Sequence, residues 1–577
     1  MSEQNRCEAA RDVGEIGRRP WRTLLVVSSL VAGLLAVGIA VGATKPTLRG
    51  RTALSPDEAF VAMMIPHHQG AIDMAVVELR DGHNQQLRRL AQEIIVTQQQ
   101  EIAVLRNARS AHRASAESTD GQGTQTVGVS HRDRVYAAEQ FSNTISVTDP
   151  ADNRLLGVIR LGDPVPGNLS PLYRGQLLVH GLGFSPDHRT LVVVSIGSNS
   201  VAFIDTKTNA VKHVTYVGRA PHEAFFTPDG REVWVTVRGE DYVAVLDGVT
   251  YAEKTRITVP NGPGMQIFSA DGKYGYVCSS FTPMTVAISV AEHRIVGQVP
   301  QPSPFCPNIA VTPDGNQVWF TLKDVGRTVV FDGHPPFSVL KTLNTGPITN
   351  HVNITHNARG TFAYVTVGGL NEIQVFRTDD FSKVATIPVG LLPHGIWPSG
   401  DGTRVYVGLE NDDRLAAIDA LTNTVIATIP IGQAPQALVY VSNAVPDSGG
   451  KQQLQPLGLA GQTAHLFLAP AGVNQTQGAP TSVSLFDQGL QQILQASVTG
   501  LPPGKPFVLA LARRADGSGA LEPLAAFTTN PAGAAIVNAI GPIRQVVRDT
   551  TAADRRYLVL VPGTAAQHGA PVQVQRP

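Results

Sequence analysis

The sequence predicts a mainly β protein: a seven-bladed β-propeller preceded by an amino-terminal transmembrane helix and an α-helical hairpin, and followed by a carboxy-terminal β-sandwich. Three observations predict it. Strand-turn-strand units recur as GFSPDHRTLVVV, FFTPDGREVWVTV, IFSADGKYGYV, AVTPDGNQVWFTL, THNARGTFAYVTV and WPSGDGTRVYVGL, with turn residues Pro186, Pro228, Ala270, Pro313, Ala358 and Gly400 spaced by 42, 42, 43, 45 and 42. A second marker, the end of the third strand, falls at Asp205, Asp247, Ser289, Asp332, Arg377 and Asp419 with the same spacing. A fixed period of this length, filled by four short strands, is the signature of propeller blades. The third observation is an apolar run at residues 21–43 with no charge after Arg22, long enough at the helical rise to cross a hydrocarbon core.

Composition narrows the function. The chain of 577 residues carries 46 Lys and Arg against 46 Asp and Glu, so no basic field exists to attract a phosphate backbone, and nucleic acid is excluded as an expected partner. The cysteines Cys7, Cys278 and Cys306 allow at most one internal disulfide, too few for a disulfide scaffold.

Taken in order, residues 1–20 form a cytoplasmic amino terminus rich in arginine. Residues 21–43 are a transmembrane anchor or a cleaved signal, and either one exports the rest. The expected location is a bacterial inner membrane, crossed once, with the bulk in the periplasm or outside the cell. Residues 55–111 form the hairpin. Ser55-Pro-Asp-Glu is a helix start and Gly82 a stop. A second helix from about residue 85 to 111 follows a short loop and should lie antiparallel.

At helical spacing Met63, His67, Gly70 and Met74 share a stripe, and Ile94, Gln98, Glu101 and Leu105 share another. Thioether sulfur with imidazole suits copper, cuprous copper above all. The bland alternative is that the methionines fill a core. The run MMIPHHQGAIDMA followed by LAQEIIVTQQQEI resembles the DUF305 family, ferritin-like helical proteins associated with copper. That resemblance implies Met63, Met64, His67, His68, Met74 and Glu101 as metal-binding residues. A lone hairpin leaves an apolar side uncovered, so it should pair with a second copy of the chain or pack on the propeller.

Residues 112–133 read as a polar linker and residues 134–445 as the propeller. Its first unit lacks an inner strand, and its last, QALVYVSNA, is an inner strand alone, so the two ends should complete one blade and close the ring. The repeats resemble the YVTN or YncE-like propeller family, which implies the fold and leaves the function open. Five to seven positions before each turn stand His180, His222, Met265, Cys306, His351 and His394, expected at the mouth of the central channel. Three readings are open there: a metal site, a small-molecule pocket, and a structural role. Cys278 should lie near Cys306, as a disulfide or a thiolate pair. Residues 446–457 form a second linker and residues 458–577 the β-sandwich.

The function expected is a membrane-tethered protein that binds or handles copper, with the propeller as its platform and an envelope protein as partner. The alternatives are an oxidoreductase or hydrolase with its site at the channel mouth, and an interaction scaffold of the cell envelope.

Overall fold

The computed structural model describes residues 56–84, 128–162, 177–447, 449–458, 463–473, 480–487, 492–541 and 555–576, with residues 87, 91, 94 and 543. The apolar run 21–43, Glu101 and the rest of the second helical stripe except Ile94, and residues 163–176 lie outside them. Among the described residues no helix is long and apolar enough to cross a membrane. The chain divides into two compact units, residues 1–119 and 120–577.

In the first unit a helix spans Pro56–Asp81 and ends at Gly82, whose amide still donates to the Glu78 carbonyl. Pro66 lies within it.

The second unit holds seven four-stranded antiparallel sheets. One of them, blade 1, joins the two ends of the array: the closing strand Pro435–Val441 pairs with Arg134–Glu139, followed outwards by Thr144–Asp149 and Arg154–Arg160. The innermost strands of blades 2 to 7 are Val179–Phe184, Pro221–Phe226, Pro263–Phe268, Ile309–Val311, Thr349–Asn357 and Pro393–Pro398. Closure supplies the first blade with its innermost strand, so all seven blades have four strands.

The repeated turn is built by its own residues. In the TPDG and SADG turns the hydroxyl of Thr227 or Ser269 donates to Asp229 or Asp271, whose carboxylate also accepts the amide two residues on. Gly230 and Gly272 sit at φ 71°, the left-handed region that favours glycine. Between the blades, large side chains of the second strands fill the space, among them Trp234, Tyr276, Trp319, Tyr364 and Tyr406, all fully buried. Their polar tips are satisfied, as buried Tyr and Trp require: Tyr364 donates to Asn423 at 2.6 Å and Trp234 to Glu232 at 3.0 Å.

Two buried carboxyls hold the chain that leads into the closing strand. Glu139 accepts the Gly432 amide at 2.9 Å, and Asp413 accepts the Ala434 amide at 2.9 Å. Burial pushes each pKa up to about 7. A carboxyl whose folded pKa is raised favours the folded state below its unfolded pKa, and that advantage is lost as pH rises from about 4 to about 7. Thermal stability is therefore expected to fall across this window. Glu139→Gln should flatten the fall by on the order of 3 kcal/mol, since each tenfold change in proton affinity is worth about 1.4 kcal/mol, as read from melting curves at pH 5 and pH 8. An unchanged slope in the variant would rule this out.

Cys278 and Cys306 form a disulfide joining the second strand of blade 4 to the entry of blade 5, which decides between the two pairings open in the sequence.

The carboxy-terminal region departs from expectation. It is one continuous eight-stranded antiparallel sheet, in the order Leu521–Thr528, Pro506–Ala512, Tyr557–Pro562, Gln573–Gln575, Thr463–Pro470, Thr481–Asp487, Gln492–Val498, Ala535–Gly541. The two terminal strands approach each other without pairing, so the sheet curls round a core that includes Leu468, Leu485, Leu494, Leu509 and Leu560, with a smaller cluster of Val508, Val559, Val561 and Val574 on its other face. Alternating apolar residues demand a buried face, and one curled sheet supplies it as well as two stacked ones.

This sheet docks on the channel-mouth side of the propeller. Phe486 and Ile493 pack with Phe141 and Ala434, while Ala534 packs with Ile348 and Leu392. Asn411 donates to the Ser482 hydroxyl at 2.9 Å, and Gln495 donates to Glu410.

Candidate functional site

Each innermost strand opens with an irregularity that sets which side chains reach the channel. In blade 3, Pro221 pairs with Val237 and Ala224 with Val235, so His222 and Glu223 share a one-residue bulge. The same pattern places His180 in blade 2, His394 in blade 7 and Gln436 in blade 1 in the register of His222. In blade 6, Thr349 and Val352 bracket the bulge, which puts His351 in the register of Glu223. Bulges commonly re-aim side chains beside functional sites.

The structure separates the six sequence candidates. His180, His222, His351 and His394 line a cavity of about 450 Å³. Met265 and Cys306 do not. Met265 pairs with Cys278 and joins the apolar core, and Cys306, one residue before the register position Pro307, is oxidised to the disulfide in that same core. Both are corrected from channel residues to core residues.

The cavity lies between the propeller and the curled sheet, which contributes Gln495, Asn530, Asn538 and Ile536. A second ring of lining residues comes from the position directly after each second strand: Gln140, Ile196, Arg238, Lys323 and Glu410. These were missed in the sequence, although the repeat marks them. Each of the last four stands ten residues after its turn, from Pro228 to Arg238 and from Pro313 to Lys323. Nothing in the sequence pattern marks the sheet's contribution.

The imidazoles form two pairs. The rings of His180 and His222 have centroids 4.3 Å apart, and those of His351 and His394 are 4.6 Å apart. Burial holds His180, His222 and His351 well below the usual histidine pKa, with neighbouring histidines and cations acting in the same direction, and lowers His394 to about 3. All four are neutral at pH 7. His394 Nδ1 contacts the Gln436 carbonyl at 2.7 Å. By contrast, the Nδ1 atoms of His180 and His222, Nε2 of His351 and both carboxyl oxygens of Glu223 are buried without a hydrogen-bond partner of normal geometry. Burial also pushes the Glu223 pKa well up, opposed only by the nearby Leu182 amide.

His180, His222 and Glu223 can each offer one ligand atom, all within 4.8 Å of one another. His180 Nδ1 lies 4.0 Å from Glu223 Oε1. Two imidazoles with one carboxylate form a recurrent divalent-metal donor set, and neutral imidazole is the ligating form. Orphaned polar atoms in a buried site are costly unless something meets them. The donors present therefore fit a metal ion, beside the cavity wall that His180 and His222 line and Glu223 does not.

The helix presents a different picture. Its stripe of Met63, His67, Gly70 and Met74 is solvent-exposed, Met63 at 68% and Met74 at 71%. Met64 is half-buried, and the buried face carries His68, Ile72 and Ala75. The rings of His67 and His68 meet edge to face at 5.7 Å. A core role for Met63 and Met74 is thereby excluded within the described residues. Groups of three or more His, Cys, Asp or Glu able to hold an ion are, among the described residues, the cavity group and the more exposed His131, Asp149 and Asp152.

Comparison with known proteins gives a match of residues 44–141 to DUF305, described as a domain of unknown function. The matched span runs past the helix Pro56–Asp81 into the first propeller strand. No curated protein matches the chain. Among solved structures, hydrazine synthase of Kuenenia stuttgartiensis is similar over 45% of this chain and 89% of that chain, at 20% identity and a TM-score of 0.41. A functionally unknown protein from Desulfotomaculum acetoxidans DSM 771 is similar over 53% of this chain and 98% of that chain, at 14% identity and a TM-score of 0.45.

Proposed function

We propose that this protein is an exported, membrane-tethered binder of a divalent transition metal, copper or zinc, held in the propeller cavity by His180, His222 and Glu223. One observation carries the reading: three buried donor groups converge within 4.8 Å, while Nδ1 of both histidines and both Glu223 oxygens lack a hydrogen-bond partner of normal geometry. Ligation would restore the charge on Glu223 and meet the orphaned nitrogens, offsetting the desolvation that the three donors by themselves leave uncompensated. Imidazole suits copper and zinc alike, and the carboxylate favours the divalent ion over cuprous copper. The apolar run at 21–43 supports export and tethering.

A second reading is favoured by the exposed stripe on the helix. Met63, His67 and Met74 offer soft donors to solvent, a surface for capturing copper that a second copy of the chain could complete with its own stripe. The cavity beside these donors also leaves room for metal-dependent catalysis, since catalytic sites keep a coordination position open.

The test is metal loading of the detergent-solubilised full chain with Cu(II), Zn(II) or Cu(I), followed by desalting and elemental analysis. The His180→Ala/His222→Ala variant is compared with the His67→Ala/His68→Ala variant. Loss confined to the first variant supports the cavity. Loss confined to the second moves the site to the helix. Absence of binding in the unaltered protein defeats both.

A further inference from the structure

The cavity contains a feature that the metal reading does not use. Arg238 and Lys323, on the ring of residues after the second strands, both face the cavity. Burial lowers both pKa values from the ordinary range, yet neither side chain has an ion-pair partner among the described residues. Arg238 Nε is buried with no hydrogen-bond partner. Glu410 and Asp324 act on Lys323 only from longer range, and the Glu410 carboxyl is itself held up by burial and bonded to Gln495.

What steadies the two cations instead is one aromatic ring. The Arg238 guanidinium lies 5.3 Å and the Lys323 ammonium 5.9 Å from the centroid of Phe305. Arg238 also lies 5.5 Å from Phe281. Cation–π contacts compensate only part of the cost of removing a charge from water. Two half-buried cations on one wall without an ion-pair partner among the described residues therefore select for negative charge, and a guanidinium beside an ammonium matches oxyanion groups in particular.

We propose that the cavity binds a small organic anion bearing carboxylate groups, gripped by Arg238 and Lys323 and roofed by the curled carboxy-terminal sheet. The volume decides between an inorganic oxyanion and an organic one. A space of about 450 Å³ falls in the range of small-molecule pockets and leaves much room beyond a single phosphate. The remaining walls suit a polar body: Gln140, Gln436, Asn530 and Asn538 offer amide groups. This inference stands apart from the metal site, because it uses other residues and is read in metal-free protein.

The experiment is calorimetric titration of the full chain in detergent, in chelator, with acetate, succinate, glutarate and inorganic phosphate against sodium chloride at matched ionic strength. Succinate or glutarate is expected to bind more tightly than acetate or phosphate. Arg238→Gln and Lys323→Gln are each expected to weaken that binding at least ~10-fold, whereas Arg219→Gln, at an exposed arginine paired with Glu240, leaves it unchanged. Thermal melts of each variant show that it is folded. The proposal is overturned if no carboxylate binds above the chloride control, if phosphate binds as well as the dicarboxylates, or if folded Arg238→Gln and Lys323→Gln retain full affinity.

Discussion

Alanine at both His180 and His222 is expected to weaken divalent-metal binding by at least ~10²-fold, more than the 10- to 100-fold that loss of an outer-shell group typically costs. The reason is the small donor set: three groups converge, and removing two leaves Glu223 alone in a buried site, where its carboxyl stays protonated. The fold should survive. Each imidazole is buried, and its orphaned Nδ1 contributes no hydrogen bond to stability, so the loss of packing is partly offset by removal of an unmet polar atom. A melting temperature within a few degrees of the unaltered protein, with metal content near zero after desalting, is the expected result. Full metal content in the double variant would sink the cavity site. The single substitution Glu223→Gln separates charge from shape: it keeps an oxygen donor but cannot ionise, and weaker binding with an unchanged melt would assign the carboxylate to the metal.

Loss of the disulfide is expected to have the largest effect on stability. Cys278 and Cys306 are separated by 28 residues, and closing a loop of that length restricts the unfolded chain by about 3–4 kcal/mol in the chain-entropy account. That is a large share of the stability of a typical domain. Both sulfurs lie in the apolar core beside Met265 and Ile309, so paired alanines also leave a void. Urea unfolding of Cys278→Ala/Cys306→Ala should show a clearly lower midpoint. Because Cys306 directly follows Phe305, whose ring backs Arg238 and Lys323, the same variant should loosen the cation wall and weaken binding in the cavity. An unchanged midpoint would show that blade packing alone holds this seam.

Much of the candidate site was legible in the sequence. His180, His222 and His394 stand six residues before a repeated turn and His351 seven, and a repeat that sets the blades also sets which residues begin each inner strand. The same counting failed at Met265 and Cys306, because an offset from the turn locates a residue at the start of its strand but does not fix what the side chain packs against at the bulge. Met265 shares its register with Glu223 and His351, yet it packs into the apolar core while His351 lines the cavity. Arg238 and Lys323 were equally periodic. They went unnoticed because a charge after a strand reads as an ordinary solvated loop residue until a roof is placed over it.

The sequence by itself determined the number of blades, the turns that separate them and the closure of the ring by Pro435–Val441, since each depends on local pattern repeated at one period. Only the tertiary structure decided that the last eight strands form a single curled sheet, that this sheet covers the channel mouth, and that the Met63–His67–Met74 stripe faces solvent. The physical reason is the range of the forces involved. Strand and turn preferences act between neighbours in the chain, whereas burial at Phe141 against Phe486, or at Ile348 against Ala534, joins residues far apart in sequence whose association no periodicity encodes.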